Sequence, residues 1–341
     1  MKKFTIVLLF AFNLLLSGLQ GESLKVCVTV PDLADLVKII GGDQVEVTTF
    51  VKGQEDPHAL VAKPSDILKL SKADALVLLG MGMEIGWVPA LVDRSRNRNI
   101  RDGQTGYIDV SKVIEPIHDS EKSIITRAMG DVHPEGNPHY MVDPVNGLKA
   151  ARYLSESFSK LRPSLKNVFS NNLKSFEKTW AKRAFGAKVA ERYPLDKLIE
   201  IQSVGKLTDL LKQTGELKLL KGWFGKMEEI KGVQFAADHS QWPYFAARFN
   251  VNIDHFLEPK PGVPPSAKYL KSFVEFLNAE EIPGLLSSSY GVARNLNFVQ
   301  KNSKVSLLPT AHQVGSRKGV HTYLDMIDYN IGLLCDCCKN I

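Results

Sequence analysis

Three histidines, His58, His139 and His239, each sit in a polar or proline-containing loop of this chain. Neutral imidazole is the commonest protein ligand for a transition metal, and it binds through whichever ring nitrogen is unprotonated. A metal-bound imidazole usually donates its other N–H to a carboxylate or carbonyl. Asp56 precedes Pro57-His58, Asp143 follows Asn137-Pro138-His139, and Asp238 adjoins His239, so these three carboxylates are the expected partners. His133, in Gly130-Asp-Val-His-Pro-Glu135, is close enough to His139 to serve as an accessory ligand, although a solvated loop residue is the simpler reading. Taken one at a time, loop histidines are ordinary hydrogen-bonding side chains. Metal chemistry requires the fold to bring them together.

The elements around them are suited to that task. From Leu24 onward, short β-branched or apolar runs alternate with amphipathic segments: residues 24–30, a helix with Leu33, Leu36, Val37 and Ile40 on one face, residues 45–50, a loop holding His58, and a helix after Pro64 that Ser65 is placed to cap. The apolar strand 75–79 follows, and a weaker strand is expected at 107–110. Strands alternating with helices imply an α/β fold with a parallel sheet flanked by helices. A long helical stretch runs from Val145 to about Arg192 and is interrupted at Pro163, whose ring and missing N–H break a helix interior. After a stretch at 193–230 with no clear period, the pattern returns: strand 233–237, the His239 loop, helix 242–249, strand 251–256, helix 267–278, strand 284–288, helix 294–301, strand 305–308, the His312 loop and helix 322–334. The expected architecture is two α/β lobes, residues 22–162 and 193–341, joined by a connecting helix at 163–192. Loops at the carboxyl ends of parallel strands line a ligand crevice, and two facing lobes make distant residues converge.

The chain has 341 residues, too many for one small core, and 4 cysteines, too few for a disulfide scaffold. Cys27 alternates with Val26 and Val28 as a small core residue, while Cys335, Cys337 and Cys338 read as tail cysteines of open redox state. Met1-Lys2-Lys3, the apolar run 4–16 and Ser17-Gly18-Leu19-Gln20-Gly21 have the three regions of a secretory signal, residues 1–21. The apolar run falls short of the roughly 20 residues that span a bilayer. No cysteine directly follows it, so the bacterial lipid-attachment pattern is missing, and a soluble, periplasmic or otherwise extracytoplasmic protein is expected. Removing Lys2 and Lys3 takes the formal charge from +6 to +4, weak for a nucleic-acid partner.

Several blocks carry a more specific signal. Asp56-Pro57-His58, Lys63-Pro64-Ser65-Asp66, Asn137-Pro138-His139-Tyr140-Met141-Val142-Asp143-Pro144 and His239-Ser-Gln-Trp-Pro-Tyr-Phe245 resemble, in order, signature blocks of the TroA-like, ZnuA-type metal-binding proteins of ABC importers. Residues 258–266 resemble a further block found in part of that family. The resemblance implies two parallel-sheet lobes bridged by a long helix. It also implies a buried ion held by His58 and His139 from one lobe and His239 from the other. The family's fourth ligand is often an Asp before the last helix, where this chain has Leu308-Pro-Thr-Ala-His312-Gln-Val-Gly315. His312, a water, or a carboxylate from elsewhere can take that place. The long His-rich loop of some zinc members is missing.

Imidazoles with few carboxylates suit Zn2+, whereas Mn2+ favours oxygen donors. Copper or nickel binds such donors at least as well by intrinsic affinity. The implied function is extracytoplasmic capture of zinc by a monomer and delivery to an ABC-transporter permease, with no chemistry done on the ion. Two alternatives remain. Three protein ligands plus water is also a hydrolytic zinc, for which Glu55 or Glu135 would be the base, although the His-Glu-x-x-His helix is absent. A surface adhesin is the other.

Overall fold

The computed structural model describes residues 22–118, 133–260 and 263–339; the expected export signal at 1–21 lies outside them. The first sheet contains β1 (Leu24–Val28), β2 (Val45–Thr49), β3 (Ala75–Leu78) and β4 (Tyr107–Asp109) in the order β2-β1-β3-β4. The second contains β5 (Gln234–Ala237), β6 (Asn252–Phe256), β7 (Gly284–Ser287) and β8 (Ser306–Pro309) in the order β6-β5-β7-β8. Every pairing is parallel. Parallel pairing needs a crossover between strands, and the helices supply it: α1 (Pro31–Gly41), α2 (Pro64–Ser71) and α3 (Val88–Ser95) in the first lobe, α10 (Pro243–Phe249), α11 (Ala267–Ala279) and α12 (Ala293–Asn302) in the second. Both sheets reverse direction beside their first strand, and a crevice opens there at the carboxyl ends. All residues of β3 and of β7 are buried, which accounts for their uninterrupted apolar runs.

Sequence periodicity placed most of these elements within one or two residues. One local detail differs. Ser65 does not cap α2; Lys63 is the N-cap, Pro64 occupies the first turn, and the Asp66 carboxylate accepts from the Lys63 N–H at 3.0 Å.

The lobes are connected by α4 (Pro144–Leu161), a 3-10 turn at Pro163–Leu165, α5 (Lys166–Phe185) and α6 (Ala187–Arg192). The break at Pro163 is as expected, and a second falls at Gly186, whose φ of 86° favours glycine. Residues 193–230 fold into α7 (Leu195–Ser203), α8 (Leu207–Gln213), a 3-10 turn at Leu217–Leu219 and α9 (Gly222–Glu228). Each has too few turns to display a period.

The last helix, α13 (Tyr323–Cys338), runs beyond Leu334 and absorbs the cysteines. Cys335 is buried in it, and all four thiols are unpaired. α13 also ties the end of the chain to the first lobe. Asp35 accepts from the Tyr323 N–H at 2.7 Å, and the Tyr323 hydroxyl donates to the Met141 carbonyl at 2.9 Å. A single buried apolar cluster therefore passes through both lobes, from Val28 and Leu33 through Phe169 and Trp180 to Phe235 and Phe245.

Candidate metal centre

The five loop histidines, His58, His133, His139, His239 and His312, reach the site from the carboxyl ends of strands or from loops beside them. His58 lies on a one-turn 3-10 helix, Pro57–Ala59, after β2. Asp56 caps that turn, accepting the His58 N–H at 2.9 Å, and the same oxygen lies 2.8 Å from Nδ1. This fixes the Nδ1–H tautomer and leaves Nε2 with its lone pair. Burial opposes the charge on Asp56, but the hydrogen bonds and charge of His58 hold its carboxyl below the ordinary value.

His139 is anchored by its own N–H, donated to the Asn137 Oδ1 at 3.0 Å. Burial lowers its pKa well below the usual imidazole range, and the fields of His58, His239, His133 and His312 add to that, so it is neutral and able to bind. His239 follows β5, and its Nδ1 is 2.8 Å from Glu258 Oε2. Burial favours the neutral ring there, yet the Glu258 hydrogen bond and charge prevail and raise its pKa.

The rings of His58, His139 and His239 form a triangle with centroid separations of 5.2, 5.6 and 6.2 Å. Two imidazoles on one tetrahedral zinc have centroids roughly 5 Å apart, given Zn–N bonds of about 2.0–2.1 Å. The triangle is thus slightly wider than a closed coordination shell. Consistent with that, no three His, Cys, Asp or Glu side chains among the described residues already stand together as a finished metal cage. Small ring rotations must complete it.

His312, on the loop after β8, has its Nδ1 3.4 Å from Ser289 Oγ and its ring edge-on to Tyr290 at 4.9 Å. Burial pushes its pKa down to about 4, against the opposing Glu55 carbonyl. Its Nε2 is buried and, among the described residues, has no hydrogen-bond partner; the same holds for Gln241 Oε1. Both residues line one small cavity of about 30 Å³, together with His139 and Pro57. That is room for a single ion or water. Two stranded polar atoms beside such a space are what a missing cation or water would satisfy. His133 also reaches the site, with Nε2 3.2 Å from His58 Nε2.

Two of the expected carboxylate partners are occupied elsewhere. Asp143 caps α4 through the Val145 N–H at 2.8 Å and is gripped by the Arg248 guanidinium at 2.9–3.0 Å. Asp238 accepts from the N–H and hydroxyl of Ser288, both at 2.8 Å. The partner of His239 is Glu258, which adjacency in sequence could not reveal. It is set by the register of β5 and β6, in which the Glu258 N–H donates to the Asp238 carbonyl. The proximity of an acid in residues 258–266, one of the family-like blocks, was the only sequence signal for it.

Contacts beside the histidines join the lobes. The buried Gln313 amide donates to the carbonyls of Lys52, Gly53 and Glu55 at 2.9, 3.2 and 3.0 Å. Asp32 accepts from the Val314 N–H at 2.6 Å, and the Asn137 amide donates to the Ser240 carbonyl at 2.9 Å. Ligand loops from opposite lobes thus hold one another.

Comparison with known proteins places this arrangement in context. Residues 26–188 and 209–337 match the family described as ZnuA, zinc-uptake complex component A, periplasmic. The manganese ABC transporter substrate-binding lipoprotein PsaA of Streptococcus mitis is 22% identical over 323 residues, covering 93% of this chain and 90% of that protein. The metal ABC transporter substrate-binding lipoprotein SsaB of Streptococcus sanguinis is 24% identical over 321 residues, covering 92% and 88%. A crystal structure of ZnuA superposes with a TM-score of 0.65 at 18% identity, covering 94% of this chain and 99% of that one, and so shares its fold. The relatives' names correct one expectation. They are lipoproteins, and the expectation of a freely soluble chain without a lipid anchor is overturned; the extracytoplasmic setting stands. Tethering a capture protein beside its membrane partner raises their effective concentration, a physical reason for such anchors.

Proposed function

Since this chain belongs to the ZnuA family, whose relatives are metal-binding substrate-binding proteins of ABC transporters and not enzymes, we propose that it captures zinc and passes it to an ABC permease. The ligands are His58 and His139 from the first lobe and His239 from the second, with His312 in the fourth position. Lobe boundaries at 22–162 and 193–341 around a connector at 163–192 suit this division. The observation that carries the reading is the triangle of three imidazoles, at 5.2–6.2 Å, drawn from both lobes, with the small cavity lined by His139 and His312 beside it.

Zinc is favoured over manganese by donor chemistry. The two carboxylates nearest the rings, Asp56 and Glu258, are engaged as acceptors for the Nδ1 edges of His58 and His239. Nitrogen donors then dominate, and they suit zinc better than the harder manganese ion. One relative is nonetheless named a manganese transporter component, which makes direct competition the deciding experiment. The protein acts as a monomer, with no nucleic-acid partner.

The test is metal analysis of protein taken from its native compartment, followed by zinc–manganese competition on the purified chain. Zinc is expected to be retained and to displace manganese. A chain that binds no divalent ion at micromolar concentration would sink the proposal, and one that prefers manganese would refute the zinc assignment alone.

A further inference from the structure

From the geometry around residues 80–84 we infer that His133 is a fifth imidazole ligand, giving the first lobe three donors, His58, His133 and His139, with which to hold the ion before His239 and His312 engage. The inference rests on the metal-binding reading above and adds to it a residue and an order of events.

The first observation is the 3.2 Å separation between His58 Nε2 and His133 Nε2. Two neighbouring nitrogens on one zinc stand roughly 3–3.5 Å apart at Zn–N bonds of about 2.0–2.1 Å, whether the shell holds four donors or five. Asp56 holds the proton of His58 on Nδ1, so its Nε2 presents a lone pair toward His133. On its other edge the His133 ring packs on backbone: its Nδ1 lies against Gly82. With the His58 Nδ1 proton engaged by Asp56, its Nε2 lone pair and the His133 Nε2 stand at the spacing of two donors that share one cation.

The second observation is the support under that ring. Gly80, Met81 and Gly82 have φ of 78°, 50° and 76°, a run of left-handed backbone in which Met81 is a strained non-glycine residue. The turn is fixed by Glu84, 2% exposed, whose carboxylate accepts from the N–H groups of Leu79 and Gly80 at 2.8 and 3.1 Å and from the Thr29 hydroxyl at 2.6 Å. A Cβ at Gly82 would come within 3.3 Å of His133 Nδ1, so the ring packs directly on this backbone. A merely solvated loop histidine needs no such cradle. One lobe with three convergent imidazoles forms a partial shell of the kind that binds zinc weakly alone and tightly once a second lobe adds a donor.

The experiment compares wild type, His133→Ala, His239→Ala and the double variant in zinc competition against a chromogenic chelator and in Co2+ visible spectra, with metal-free circular dichroism as the folding control. His133→Ala should weaken zinc binding by about tenfold or more and alter the Co2+ ligand-field bands, which a purely structural role would leave unmoved. His239→Ala should retain weak binding that the double variant loses by a further tenfold or more. Wild-type affinity and an unchanged Co2+ spectrum in His133→Ala would overturn the inference while leaving the metal-binding reading intact. Failure of the wild type to bind either ion would overturn both.

Discussion

At the scale of single residues, the site sorts its imidazoles by their affinity for protons. Burial keeps His139 and His312 neutral well into acid, whereas Glu258 raises His239. Metal binding requires the neutral ring, so of these three His239 is lost first as pH falls. Zinc affinity should therefore begin to drop while the pH is still above about 6.5, the ordinary imidazole value. Glu258→Gln should move that onset to lower pH, while weakening zinc binding at high pH by roughly 10–100-fold through loss of ring orientation. Chelator competition across a pH series checks both. The sign reverses for the metal-free protein: the His239–Glu258 pair stabilises it fully below about pH 6.5 and ceases to do so as pH rises through the raised pKa. Removing a ligand outright has a larger effect. His58→Ala and His239→Ala should each weaken zinc binding beyond the roughly 100-fold ceiling of an outer partner, and titration calorimetry would contradict the ligand assignment if either kept full affinity.

At the scale of elements, the His58 and His312 loops behave as one unit. Gln313 spans them with three hydrogen bonds, and the backbones meet so closely that a Cβ on Gly53 would lie 2.3 Å from the Gly315 carbonyl carbon. Glycine is required at 53 by contact, with no need for unusual backbone angles there. Gln313→Ala removes three part-buried hydrogen bonds and should destabilise the fold by about 1–3 kcal/mol, and it should also weaken zinc binding although Gln313 touches no metal. Denaturant unfolding and zinc titration of the same variant measure the two effects. Unaltered zinc affinity would show that the loop holds its shape without the clasp.

At the scale of the whole molecule, the shared core restrains the motion expected of two lobes. A crevice between independent lobes opens by a hinge, but here Tyr323 bonds to Met141, and one apolar cluster runs from Val28 to Phe245. Opening widely would expose that cluster to water. Loading with zinc should then leave the radius of gyration close to the roughly 20 Å of a chain this size. The melting temperature should still rise, because zinc at a hundred times its dissociation constant adds about 2.7 kcal/mol to the folded state. Small-angle scattering and calorimetry with and without zinc separate these outcomes, and a change of several Å in radius would contradict the restrained picture.

The amino-acid sequence by itself determined the alternation of strands and helices, the break at Pro163 and the blocks containing His58, His139 and His239. These are local signals, written in periodicity and in residues whose backbone preferences act over a few positions. It was nearly silent on 193–230, where helices of seven to nine residues are too short to show a repeat. It also misassigned partners: Asp143 and Asp238 were nearest in sequence, yet one holds Arg248 and the other Ser288. Only the tertiary structure brought Glu258 to His239, set Gln313 across the lobes and pointed His133 at His58. Each of those contacts depends on strand register or lobe packing between residues distant along the chain, and no local pattern encodes a distance of that kind.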